Sequence, residues 1–218
     1  MKLFTFWRSL ATFRVRMALN VKGLVFEPIS IDMNSGEQLK EEFRAVNPMG
    51  ALPVLVEDDG TSLDQSLPIM EYLDERYPDP ALLPRDAAGR ARVRALAQMT
   101  VADSHPLIVP RVRQHLARTF GATPEQVHAW GLHWMTAGLD AYERRLTRDK
   151  ATGAFCHGDS LTLADLCLVS HGVGITYFGG TIEGHPTVKR IFERCMADER
   201  IAAAHPLRQP GAPADPKI

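Results

Sequence analysis

An α/β layer followed by an all-helical one is the fold class this sequence predicts, and three observations predict it. Residues 2–77 run in the order strand–helix–strand–helix–strand–strand–helix. Pro78, Pro80 and Pro84 then fall within seven residues, where a helix cannot continue. Beyond them the apolar spacing is helical nearly throughout. The boundaries that follow are a first domain over 1–78, a linker over 79–86 and a second domain over 87–218.

Each element has a local reason. Lys2 to Trp7 alternates apolar and polar side chains as a short strand does. From Leu10 to Val21 the period changes, with Leu10, Phe13, Met17 and Val21 along one side, and Gly23 supplies the stop. Phe26 to Ile31 reads as a second strand and Leu39 to Arg44 as a short helix. Pro53 to Glu57 and Thr61 to Leu63 flank an Asp-Asp-Gly turn, which is a hairpin signature. Gln65 to Tyr77 is helical again, with Ile69, Leu73 and Tyr77 facing a core. After the linker, Val93, Leu96, Ala97 and Val101 mark one helix, and Val127, Trp130, Trp134, Ala137 and Ala141 another. Two tryptophans four apart read as core rather than as a ligand box.

The sharpest folding signal in the second half is Ser160-Leu161-Thr162-Leu163-Ala164-Asp165-Leu166. Thr162 can cap a helix while Asp165, three residues on, reaches back to the cap's own N–H. Leu161 and Leu166 sit where a hydrophobic staple needs them. Pro186 to Asp198 reads as a last helix, and the proline-bearing tail from His205 as extended or loose.

Composition excludes several function classes. With 25 basic against 26 acidic residues there is no electrostatic case for nucleic acid or for an anionic membrane surface. No apolar run approaches the ~20 residues of a spanning helix, and the N-terminus does not read as a signal peptide. Cys156, Cys167 and Cys195 are widely spaced and odd in number, which suits a reducing compartment, so a cytoplasmic protein is expected. No metal site is expected: His128 and His133 lie five apart, off the spacing of one helix face.

The chemistry-bearing residues sit at three junctions. Ser9 stands between the first strand and the first helix, where unpaired N–H groups and the helix dipole favour an anion. Pro53 opens an apolar strand after Asn47-Pro48-Met49-Gly50-Ala51-Leu52, and Gln65-Ser66 opens the next helix. Taken singly, these are an ordinary cap, an ordinary strand start and another cap. In this order they outline a site for a small, anionic, peptide-like ligand.

The arrangement resembles the glutathione transferase superfamily, specifically its zeta class, which includes maleylacetoacetate and maleylpyruvate isomerases. The matching runs are F-W-R-S at 6–9, R-V-R-M-A-L-N-V-K-G at 14–23, N-P at 47–48, Q-S at 65–66, E-Y-L at 71–73, A-L-L-P at 81–84 and A-D-L-C-L-V at 164–169. The resemblance implies a thioredoxin-like N-terminal domain that binds glutathione, followed by an all-helical domain for substrate. It also implies glutathione as cofactor, a small electrophilic substrate and a homodimer. In such a site Ser9 donates to the glutathione sulfur and lowers its pKa from about 8.5, with Thr12 a second candidate donor. The class typically shows S-S-C-S; here Leu10, Ala11 and Thr12 follow Ser9, so the accessory thiol is absent. Pro53 resembles the cis-proline that exposes the next residue, and Val54 would pair with the cysteinyl part of glutathione. Gln65 and Ser66 resemble the pair that holds the γ-glutamyl carboxylate. His105, before Pro106, resembles a histidine placed near glutathione, and Asp103 is a candidate for the glutathione amino group.

In zeta-class isomerases the glutathione thiolate adds to a cis double bond conjugated with a carbonyl, and leaves after rotation has given the trans isomer. A dianionic substrate needs cationic partners, for which Arg8 and Arg111 are candidates. Two departures weaken that pocket. Ile108-Val109-Pro110-Arg111 stands where bacterial maleylpyruvate isomerases carry Asn-Asn-Arg-Arg, and Gly172 to Phe178 has no basic residue. Each charge-assisted hydrogen bond lost costs about 1.5–3 kcal/mol. The expectation is therefore a glutathione transferase acting on a less charged electrophile, with cis–trans isomerisation as the alternative. A reductive dehalogenase or thiol oxidoreductase would want an active-site cysteine, and none precedes Cys156. A non-catalytic glutathione-binding module is the remaining reading.

Overall fold

The computed structural model describes residues 1–213. They form two compact units, Met1–Leu82 with the segment from Asp198, and Leu83–Ala197.

In the first unit, β1 (Lys2–Thr5), α1 (Leu10–Val21) and β2 (Glu27–Ser30) come first. A 3-10 turn (Glu37–Leu39), α2 (Glu41–Arg44), β3 (Val54–Val56), β4 (Ser62–Asp64) and α3 (Ser66–Arg76) follow. The expected single helix over 39–44 is thus two short pieces, broken at Lys40, whose backbone is extended. The strand order is β2-β1-β3-β4, with β1 parallel to β2 and antiparallel to β3, and β3 antiparallel to β4. This is the expected thioredoxin-like sheet. The hairpin closes where the Asp-Asp-Gly turn predicts it, at Gly60 with φ +89°, a value open to glycine at no steric cost.

α1 is buried along nearly its whole length, including Arg14 and Arg16. A buried cation needs all its donors placed. Lys22, at the end of α1, places its three: Nζ donates to Asp74 (3.0 Å) and to the carbonyls of Tyr77 (2.6 Å) and Pro80 (2.9 Å). Asp74 also accepts from the Leu82 N–H at 2.6 Å, so the proline-rich segment is fastened under α1 and α3.

The second unit contains α4 (Ala87–Gln98), a π-helical turn (Met99–Ser104), α5 (His105–Ile108), α6 (Pro110–Phe120), α7 (Pro124–Arg148), α8 (Leu163–Thr176) and α9 (Pro186–Met196). α8 is buried from Leu163 to Ile175 and is the helix around which α4, α7 and α9 pack. Gly138 permits the close approach of α7: a Cβ there would stand 2.3 Å from the Ser104 hydroxyl and 2.9 Å from His171. Asp165 accepts from the N–H and hydroxyl of Thr162, each at 2.7 Å, and from the N–H of Cys156 at 2.7 Å. The capping box thus has the structural role expected of it, and it also pins the loop that precedes it. Trp130 and Trp134 stack edge-on at 5.7 Å but are only half-buried.

α10 (Glu199–Ala203) and a 3-10 turn (Pro206–Arg208) complete the described chain. Both belong to the first unit, although the proline break alone assigns everything after residue 86 to the second. The reason is α1: Arg16 Nε donates to the Ala204 carbonyl at 3.2 Å, and Asn20 donates to the Arg200 carbonyl at 2.9 Å. The expectation of a loose tail from His205 is likewise corrected as far as residue 213. His205 accepts from the Leu207 N–H (3.2 Å), and Gln209 donates to the Ala203 carbonyl (2.8 Å). The remainder of that tail, Pro216 included, lies outside the described residues. No helix among the described residues is long and apolar enough to cross a membrane.

Candidate functional site

Sheet register gathers the three junctions. Val54 lies opposite Phe4 on one side and Asp64 on the other. The loop leaving β1 toward Ser9, the turn entering β3 and the start of α3 therefore emerge at one end of the sheet.

Ser9 is the N-cap of α1. Its Oγ accepts from the Thr12 N–H at 3.2 Å and from the Thr12 hydroxyl at 2.9 Å. Both contacts use lone pairs, so the Ser9 proton remains available to a sulfur beyond the helix end. Thr12 is fully buried and spends its own proton on Ser9. Thr12 is thus a hydrogen-bond donor to the serine. The approach to Ser9 is held by Arg16, which donates to the Thr5 hydroxyl (3.0 Å) and the Trp7 carbonyl (3.3 Å). Arg8, between Trp7 and Ser9, is exposed.

The turn before β3 is braced by Asn47, which donates to the Ala51 carbonyl at 2.8 Å and accepts from the Met49 N–H at 3.0 Å. The Leu52–Pro53 bond is cis. Val54 is a rung of β3 with a strand on either side, so its amide faces ladder partners. Leu52 precedes the ladder, and its N–H and carbonyl enter no hydrogen bond among the described residues. The free peptide edge is thus at Leu52, two residues before the expected one, because the antiparallel ladder begins at Val54.

Gln65 has φ +64° and ψ 125°, a conformation few side chains adopt. Holding it costs about 1–3 kcal/mol, and such strain clusters where ligands are clamped. The bend leads directly into α3, which Ser66 heads. Arg14, which is 2 % exposed, donates from Nη1 to the Ser66 hydroxyl at 2.7 Å. Arg14 opens the R-V-R-M run and Leu52 precedes Pro53, but neither residue is singled out by the sequence as part of the site. Arg14 also stands out in the sequence as a charge set among apolar neighbours in a helix. Gln38 is a further unforeseen residue near the β3 turn: it is buried, and its side-chain oxygen has no hydrogen-bond partner among the described residues.

Asp103, His105 and Arg111 lie in the second unit. Asp103 is exposed within the π-helical turn, and His105 closes that turn by donating its N–H to the Thr100 carbonyl five residues back. Pro106 explains the local widening, since it offers no N–H and its ring crowds the carbonyl four residues earlier. Arg111 is exposed in the first turn of α6. Arg113, by contrast, is engaged: Nε donates to the Ile108 carbonyl at 2.9 Å, and the guanidinium lies 5.6 Å from the centre of the Phe178 ring. Cys156 is buried, and burial, then neighbouring Asp165, pushes its thiol well above the ordinary range. Such a thiol is inert as a nucleophile.

Comparison with known proteins agrees with this fold. A family model described as glutathione S-transferase, N-terminal domain, matches residues 3–81. A maleylpyruvate isomerase of a Ralstonia species is 41 % identical over 211 residues, covering 96 % of this chain and 99 % of that one. The crystal structure of maleylacetoacetate isomerase from Methylobacterium extorquens AM1, with bound malonate and glutathione, has a TM-score of 0.96 and 47 % identity. That match covers 98 % of this chain and 100 % of the other. A holo structure of a maleylpyruvate isomerase, a bacterial zeta-class glutathione S-transferase, has a TM-score of 0.94 at 39 % identity, covering 98 % of this chain and 100 % of that one.

Proposed function

Since this chain belongs to the zeta class of the glutathione S-transferase family, we propose that it activates the glutathione thiol toward an electrophilic small molecule. We take that molecule to be a maleyl keto acid, which is isomerised from cis to trans. The observation that carries the reading is Ser9: a hydroxyl at the head of a 12-residue helix, with both accepted bonds supplied from within and its proton free to donate. The site fits glutathione group by group. The Leu52 amide offers an antiparallel edge to the peptide, and Gln65 with Ser66 offers a strained helix N-terminus to the γ-glutamyl carboxylate. Glutathione, when bound, supplies a thiolate that adds to the conjugated cis double bond and departs after rotation. The chain's own part is to hold the thiol ionised at Ser9, to orient the tripeptide, and to meet the substrate carboxylates with Arg8 and Arg111. His105 and Asp103 are assigned to the glutathione end.

One observation favours a second reading, conjugation of a less charged electrophile. α8 is apolar through the stretch expected to supply a guanidinium, and it is buried as far as Ile175. Turnover of maleylpyruvate beside that of a neutral aryl halide decides between them, with Ser9→Ala as control. Isomerisation that falls about 100- to 1000-fold in the variant supports the main reading. Conjugation without isomerisation moves the protein to the second reading, and failure to bind glutathione removes both. A cytoplasmic location is part of the proposal, supported by three buried cysteines that form no disulfide. So is a homodimer, which rests on the family and is checked by the mass in solution.

A further inference from the structure

We propose that the segment from Ala204 to Gly211 is a clasp that positions the loop carrying Ser9, with His205 as a catch that holds only while its imidazole is neutral. The proposal rests on the reading of Ser9 as the residue that serves the glutathione thiol. Trp7, two residues before Ser9, is met by both ends of this segment. At the near end the Ala204 carbonyl accepts from Arg16 Nε at 3.2 Å, and the same guanidinium donates from Nη2 to the Trp7 carbonyl at 3.3 Å. At the far end a Cβ on Gly211 would stand 3.7 Å from Cδ1 of the Trp7 ring. Gly211 has φ +84°, so the chain turns beside that ring in a conformation that favours glycine. Between the two ends the segment is drawn together: Gln209 Nε2 donates to the carbonyls of Ala203 (2.8 Å) and His205 (3.2 Å), and Pro206 is buried.

His205 fixes that turn to α1. Its ring meets the Phe13 ring edge-on with centroids 5.9 Å apart, and the Arg16 guanidinium lies 5.8 Å from the centre of the same Phe13 ring. His205 Nδ1 accepts from the Leu207 N–H at 3.2 Å. A backbone amide can only donate, so Nδ1 is the bare nitrogen of a neutral ring. Protonation at Nδ1 ends that bond. It also adds a charge where the charged groups facing the ring are cations, Arg16 on α1 and Arg208 on the same turn. Glu199 of α10 is paired with Arg208 at 2.6 Å. Burial first, then Arg208 and Arg16, hold the imidazole below its ordinary value. A histidine whose pKa is lower in the closed form than in the open one favours closure fully above its open-form value, about 6.5. As the pH falls below that value, the preference fades and the catch opens. Arg16 passes the loosening to the Trp7 carbonyl, so the Ser9 hydroxyl loses its set position. His205 touches neither ligand nor reacting atoms and is a positioning residue.

Two measurements on the full chain test this. Hydrogen–deuterium exchange is read on peptides spanning 4–9 and 199–213 at about pH 7.5 and about pH 5.5, corrected for the intrinsic pH dependence of exchange. Steady-state kinetics with maleylpyruvate and glutathione supply kcat and KM. His205→Phe keeps a ring and removes the acceptor. Expected in it are faster exchange in both peptides at neutral pH and a kcat lowered about 3- to 10-fold. KM for glutathione should stay within about twofold, because the Leu52 edge and the start of α3 lie on other elements. His205→Asn keeps a neutral acceptor near the place of Nδ1, recovers part of the kcat, and responds less to acid than wild type in both peptides. Should His205→Phe not fold, the acid response of wild type against that of His205→Asn decides alone. Equal acid responses overturn the proposal. So does faster exchange confined to 199–213 with kcat unchanged, which makes the segment a structural tail. Undiminished turnover in Ser9→Ala removes the Ser9 reading, and the proposal with it, by a different measurement, so the two failures are told apart.

Discussion

A hydroxyl that accepts two hydrogen bonds has one proton left to give, and that is the state in which Thr12 leaves Ser9. The arrangement makes Thr12 matter only through the serine. Thr12→Val keeps the buried shape and removes one donor to an oxygen that carries growing negative character as it serves a thiolate. The thiol of bound glutathione should then titrate at higher pH, and kcat should fall about tenfold. Thr12→Ser should stay within about twofold of wild type. In a Ser9→Ala background, Thr12→Val should change nothing further, and a fresh loss there would put Thr12 on the sulfur directly. Ultraviolet titration of the bound thiolate reads the first quantity and steady-state kinetics the second.

At the scale of elements, helix ends do the positioning, and they are held by partners far along the chain. α9 begins at His185 without a side-chain cap. Glu143 of α7 replaces it, accepting from the N–H groups of Thr187 (3.0 Å) and Val188 (2.9 Å). Burial alone would push the Glu143 carboxyl up, but hydrogen bonds from Val188, Thr187 and Thr147 outweigh it and hold the carboxyl below its ordinary value. A carboxyl with a lower pKa in the folded than in the unfolded chain stabilises the fold above the unfolded value, about 4.3 for glutamate. That contribution disappears as the pH falls through the folded value. Glu143→Gln should therefore cost about 1 kcal/mol at pH 7, with the gap to wild type closing in acid. Urea midpoints at neutral pH and near pH 3.5 measure it, and a gap that persists in acid would assign the loss to packing.

At the scale of the molecule, one buried side chain joins both ends of the first unit. Arg16 reaches the Thr5 hydroxyl, the Trp7 carbonyl and the Ala204 carbonyl, the last 188 residues away. It ties α10 to α1 while shaping the loop that delivers Arg8 and Ser9. Arg16→Met keeps bulk and leaves buried acceptors unsatisfied, at about 1–3 kcal/mol each and not additively. Thermal unfolding should show a loss of about 3 kcal/mol or more, accompanied by a lower kcat because the Ser9 loop loosens. A stable variant with full activity would make the link ornamental.

What could be read from the sequence alone is what short-range chemistry dictates. Caps, the Asp-Asp-Gly turn, the proline break and the Thr162–Asp165 box each act within a few residues, so their patterns survive in the linear chain. The same holds for the order of Ser9, Pro53, Gln65 and Ser66, which outlines a site for a small peptide-like anion and carries the family resemblance that implies glutathione. Tertiary structure alone decided the rest. Which peptide edge is free depends on where the β3 ladder starts, and that leaves Leu52 rather than Val54 outside the ladder. That the Thr12 hydroxyl meets Ser9 depends on a side-chain rotation. Arg14 meets Ser66, and Arg16 meets Ala204, only once the chain has folded. Contacts of that reach are set by packing, which fixes the partners of a buried charge without leaving a local pattern in the residues around it.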